Sequence, residues 1–156
     1  MTGGAPALGW ERWATVWPEA EPLFQQHHDA VGSELLGHHE IDTEQAAALD
    51  AAGAMLFATG RREARLEAYC MWYLVPNIKS RGTVLALQGP WFATVPGFGM
   101  KVLDWSLRDL QTKAHAAIVH HWPNEPRLGA LFARRYAAVP NETSWVIPFP
   151  LSPKDR

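Results

Sequence analysis

Three histidine groups offer the most evident chemistry in the chain: His27-His28, His38-His39-Glu40 and His120-His121. Imidazole changes charge near neutral pH and is a common metal ligand. Zinc, however, needs three or four converging ligands. Adjacent residues on a helix or strand point in different directions, so each pair supplies at most one easy ligand. There is no His-x-x-x-His spacing and no cysteine pair, so no metal site is expected. His120 and His121 lie in the run AAIVHHW, which reads as a strand. One of the two should face the core, and the outward one is the best titratable base in the chain. Nucleophiles are less evident. Ser33, Ser80, Ser106 and Ser144 sit in no Gly-x-Ser-x-Gly elbow, and Cys70 lies inside an apolar strand as an inert core thiol. Arg61-Arg62 and Arg134-Arg135 read as solvated charges, with interface contacts as the second reading.

The chain's periodicity shows what must position these groups. Residues 13–16 read as a short first strand. Pro18 suits the first turn of a helix, with Glu19 and Glu21 near its positive end and Leu23, Phe24, His27 and Val31 along one face. Asp42 opens a second helix with Gln45 three residues on, and Gly53 stands past its end. Residues 54–59, 65–76 and 83–95 are rich in β-branched and aromatic side chains and form an antiparallel meander, joined through GRREA and NIKSRG. Gly89-Pro90 removes a ladder donor, so a bulge or unpaired stretch is expected there. A helix over 100–114 follows, with Val102, Leu103, Ser106, Leu107 and Leu110 on its apolar face. A strand over 116–122, a helix over 126–137 capped by Asn124 or Glu125, and a strand over 143–149 complete the order. The fold class is α/β (α+β): a mixed, mostly antiparallel central sheet flanked by helices. Residues 1–12 read as an N-terminal arm, 13–150 as one domain and 151–156 as a Pro-rich tail.

Bulk properties exclude several classes. A chain of 156 residues with 47% hydrophobic and 19% charged residues can bury an ordinary core. A net charge of -2 argues against nonspecific nucleic-acid binding, which needs a basic face. One cysteine cannot form an internal disulfide, which fits a reducing compartment or an assembled particle. The N-terminus lacks the basic and apolar regions of a signal peptide, and no run is apolar enough to span a bilayer. Eight tryptophans are more than usual; most should be core, while Trp10, Trp13 and Trp17 are the ones placed to meet a partner.

The order β-α-α-β-β-β-loop-α-β-α-β resembles that of GNAT-type acyl-CoA N-acyltransferases. Four features carry the likeness: a strand ending at Val95 with Gly97 and Gly99 just beyond it, a helix followed by IVHHW, Asn124 before a helix containing Leu131-Phe132, and a closing strand. The resemblance implies that backbone at Trp91, Ala93 and Val95 pairs with the pantetheine amides of acetyl-CoA. It implies that Gly97, Phe98, Gly99, Met100 and Lys101 hold the pyrophosphate, because orphan amides and the helix dipole attract anions. His120 or His121 would then be the base, and Tyr136 the acid for the departing thiol. The chain departs from the family pattern at several points. TVPGFG has no arginine or glutamine, Phe98 puts an apolar ring in the loop, and Phe132 stands where a hydroxyl is usual. Glu67 is the one acidic residue inside the strands. Segments 25–31 and 45–60 look like GNAT proteins encoded by tailed bacteriophages. The expectation is therefore a non-catalytic or weakly active virion structural or assembly component of the phage. It would sit in host cytoplasm or virion, unsecreted, and bind partner chains through the Trp-rich N-terminal segment and the tail. The alternative is an acetyl-CoA-dependent N-acetyltransferase acting on a small-molecule or protein amine.

Overall fold

The computed structural model describes residues 5–31, 40–121 and 126–141. Its elements are β1 (Ala7–Glu11), α1 (Trp13–Val31), α2 (Thr43–Ala51), β2 (Met55–Arg62), β3 (Arg65–Pro76), β4 (Val84–Ala93), α3 (Phe98–Leu110), β5 (Ala116–Ile118) and α4 (Pro126–Tyr136). The five strands form one sheet in sequence order, antiparallel except for the last pair, β4 with β5. This is the mixed, mostly antiparallel sheet flanked by helices that the sequence implies. Contacts divide the described residues into two compact units, one holding 5–31 and 40–119, the other 120–121 and 126–141. The expected closing strand over 143–149, the caps Asn124 and Glu125, His38 and His39, and the tail lie outside the described residues.

The N-terminal segment differs most from the sequence expectation. Residues 7–11, read as part of an arm, are strand β1, in register with β2 from Ala7↔Arg61 to Glu11↔Phe57. Residues 13–16, read as a strand, are the first turn of α1. The spacing of Trp13, Val16, Ala20, Leu23 and Phe24 explains it: all five are buried, as one helix face would be. Pro18 and Pro22 sit inside this helix and remove two backbone donors. Both prolines are exposed, so the carbonyls they leave lie on the water side.

The middle of the chain follows expectation closely. Asp42 accepts from the Gln45 amide at 2.8 Å, and Gly53 has the positive φ of 68° that ends a helix. β2 runs further than the apolar stretch, taking in Gly60, Arg61 and Arg62. The turn shrinks to Glu63-Ala64, both at positive φ, the mirror-image geometry a two-residue hairpin needs. Arg61 holds this turn by donating to the Ala64 carbonyl at 2.7 Å. The bulge expected at Gly89-Pro90 is present. Cys70 pairs with Trp91 and Trp72 with Gln88, so Met71 alone faces two residues of β4.

Both faces of the sheet are covered, and β3 accordingly reads as a run buried from Ala68 to Trp72 rather than as an alternation. One face packs α1 and α2 on Met55, Phe57, Tyr69 and Met71. Phe24 stacks on Tyr69 at 4.4 Å, and Trp13 meets Phe57 edge-on at 5.6 Å. The other face carries α3. The Trp72 indole donates to the Ser106 hydroxyl at 3.1 Å, and that hydroxyl donates to the Leu103 carbonyl. Trp10 also belongs to this face, donating to Asp109 at 2.7 Å and lying 5.1 Å from Trp105. No helix among the described residues is long and apolar enough to cross a membrane.

Candidate functional site

The site begins with a strand that loses its neighbour. β4 and β5 are in register at three positions only, Leu85↔Ala116 to Leu87↔Ile118. Beyond them residues 89–93 have no partner strand on that side among the described residues, while β3 holds the other edge through to Ala93. A strand with one open edge offers backbone donors and acceptors to any extended chain laid beside it. The chain then turns through Pro96 and Gly97 into α3. Gly97 stands at the helix N-cap with φ 76°, and no side chain caps the first turn. The Phe98 amide bonds the Val95 carbonyl at 3.1 Å. What remains is a helix N-terminus whose dipole favours negative charge.

A cleft of about 260 Å³ lies where these parts meet. Six of the eight cofactor positions named from the sequence line it: Trp91, Ala93, Val95, Gly97, Gly99 and Met100, together with Phe92 and Pro96. The other two are elsewhere. Lys101 is exposed one position further along α3. Phe98 is buried, with its ring tip against Gly60, so it does not intrude on the loop as its position in the sequence implies. Gly99 also has a reason the sequence does not display. The Trp91 indole donates to the Gly99 carbonyl at 3.0 Å, and a Cβ at Gly99 would come within 3.0 Å of that indole nitrogen.

The acid–base residues named from the sequence fall differently. β5 stops at Ile118, so His120 and His121 are not on a strand and the argument that one faces inward does not apply; both are exposed. A three-residue strand is what three register pairs can hold. His121 lies instead against α4, beside Gly129 and 6.3 Å from Phe132. Tyr136, the last residue of α4, is 6.2 Å from Phe132. These three positions belong to the smaller unit. Glu67 is bonded by Arg62, whose guanidinium holds the carboxyl below the usual range and makes it a weak base. Cys70 is fully buried and burial pushes its thiol up, so it stays protonated. Among the described residues no group of three His, Cys, Asp or Glu converges as metal ligands would.

One titratable group went unassigned in the sequence. His27 of α1 stacks on Phe92 of β4 with ring centroids 5.1 Å apart, and its Nδ1 lies 2.9 Å from the Tyr69 hydroxyl. Burial pushes the Tyr69 phenol up, so it remains neutral beside the imidazole. The spacing of α1 puts His27 on the apolar face. Nothing in the sequence says that this face reaches β4 next to the cleft.

No protein-family model matches the sequence, and no curated protein does. Solved structures match along most of their length. A ribosomal-protein-alanine N-acetyltransferase from Brucella melitensis biovar Abortus 2308 superposes with a TM-score of 0.68 at 16% identity, over 94% of this chain and 100% of that one. The aminoglycoside acetyltransferase HMB0005 from an uncultured soil metagenomic sample gives 0.71 at 11%, over 96% and 100%. A predicted acetyltransferase with acetyl-CoA from Clostridium acetobutylicum gives 0.62 at 10%, over 97% and 99%. The chain thus has the GNAT acetyltransferase fold.

Proposed function

We propose that the chain transfers an acyl group, acetyl in the simplest case, from an acyl-CoA thioester to an amine. The observation that carries this reading is the edge of β4 left unpaired beyond its three pairs with β5, beside a cleft lined by β4, its following loop and the first turn of α3. The residues present fit such a donor. The open edge of β4 suits an arm that bears amides, and Gly97 and the α3 N-terminus suit a pyrophosphate. Acyl-CoA would supply the activated carbonyl: the amine nitrogen bonds to it, the carbon–sulfur bond breaks, and the thiolate leaves. The chain's own task is to take one proton from the amine and return one to sulfur. His120, His121 and Tyr136 are the groups assigned to these steps by resemblance. His27, stacked on the cleft's own strand, is a fourth.

Two features that favoured a non-catalytic virion component read differently in three dimensions. Phe98 is turned away from the loop, and Trp10 and Trp13 are engaged within the chain. The absent loop arginine or glutamine remains, and it lowers the affinity expected for pyrophosphate rather than removing the cleft. The phage association rests on the sequence resemblance alone. Calorimetry with acetyl-CoA tests the proposal. Micromolar binding that Gly99→Glu weakens while the fold is kept, by circular dichroism, supports it, since the new side chain must displace the Trp91 indole that lines the cleft. No heat at millimolar acetyl-CoA overturns it.

A further inference from the structure

A second cavity, of about 190 Å³, lies on the sheet face covered by α1 and α2. Pro90 of the β4 bulge forms part of its wall, and the next residue, Trp91, lines the acyl-CoA cleft. Successive residues of the bulge thus line the two hollows, and Phe92, the next residue of the cleft wall, stacks on His27 of α1, on the cavity's side of the sheet. We propose that this cavity receives the acceptor, and that the acceptor is a small primary amine with an aromatic or branched apolar body. The inference rests on the acyl-transfer reading and adds its substrate class.

Three observations select that chemistry. First, the walls are apolar where they are deepest: Trp13, Met55 and Met71 are nearly fully buried, and Tyr73 adds a ring face. A hydroxylated sugar placed there would bury polar groups without partners, which apolar sites reject. Second, the volume is limited. A dry cavity of about 150 Å³ takes up one benzene ring, so this one has room for a single ring and a short arm. Third, the polar side of the wall is Glu40, Asp42 and Gln45. Asp42 is committed to the α2 cap, whereas Glu40 makes no hydrogen bond or ion pair among the described residues. An exposed carboxylate at the mouth of an aromatic hollow attracts an ammonium.

The test uses the whole chain and 2-phenylethylamine, with spermidine and an Ala-terminated peptide as contrasting amines. Binding is read by ligand-observed NMR without cofactor, and transfer by thiol release from acetyl-CoA. The expected result is binding and acetylation of 2-phenylethylamine in preference to the other two. Glu40→Gln should weaken its binding about two- to fivefold, the size of one partly exposed charge pair, and leave the uncharged 2-phenylethanol unaffected. Ala46→Leu, which narrows the cavity, should weaken both. Binding of 2-phenylethylamine without thiol release upholds the cavity and overturns acyl transfer. Thiol release with spermidine or the peptide but not with 2-phenylethylamine overturns the cavity assignment alone.

Discussion

At the scale of single residues, the glycines carry more of the design than the histidines that first draw attention. Gly99 is glycine because an indole lies on it, and Gly97 because the chain turns left-handed into α3. Gly60 is the most constrained of the glycines against α3. A Cβ there would fall 2.7 Å from Val102 Cγ2 and 2.9 Å from the Phe98 ring, both in the first turns of that helix. Val102 is fully buried and cannot swing aside. Gly60→Ala should therefore cost about 1–3 kcal/mol, the usual penalty for overpacking a core. Urea denaturation checks it: the midpoint should fall with the slope unchanged. An unaltered midpoint would show that α3 can slide away from β2. His120 and His121 illustrate the converse. Their residue type was informative, but their placement depended on a strand that ends two residues earlier.

At the scale of elements, Arg61 joins three of them. It donates to Glu11 of β1 and Glu19 of α1 from its position on β2, and only a fifth of its side chain is exposed. Its hydrogen bonds hold both carboxyls below their ordinary value of 4.5. Carboxyls depressed in the folded state stabilise it above their unfolded pKa, and that contribution is lost as pH falls through the folded values. The wild type should thus lose more stability than Arg61→Met between pH 7 and pH 3, by about 1 kcal/mol or less, since Glu11 and Glu19 are both partly solvated. Parallel urea titrations at the two pH values measure the difference, and equal losses would uncouple the three residues. The sequence does not reveal this joint, because Glu11 lay in a presumed arm and Arg61 in a presumed turn. Elements with local signals were legible: the Asp42 cap, β3 at its full length, and the Gly89-Pro90 bulge. Those set by long-range pairing were not. β1 is a strand because β2 offers it an edge, and β5 is a strand only over the three residues that pair with β4. The turn after β4 was legible for the same reason the bulge was, since glycine and proline mark it locally, whereas the positions lining the cleft were named by resemblance and His27 reaches β4 only through the packing of α1.

At the scale of the whole molecule, the net charge of -2 opposes a polyanionic ligand. Binding of acyl-CoA cannot draw on a broad positive field and must rest on local groups. Two local contributions are available, the helix N-terminus for phosphate and the open edge of β4 for the pantetheine arm, and they can be separated. A ligand at a hundred times its Kd stabilises the native state by about 2.7 kcal/mol. For a chain of this size that raises the apparent Tm by about 5–10 °C. CoA should reach that shift, and 3′-phospho-ADP, which is CoA without its pantetheine arm, should fall well short at the same concentration. Thermal melts with each ligand decide the matter. If 3′-phospho-ADP shifts the protein as far as CoA does, the unpaired half of β4 contributes nothing, and its open edge is a feature of the fold without a part in binding.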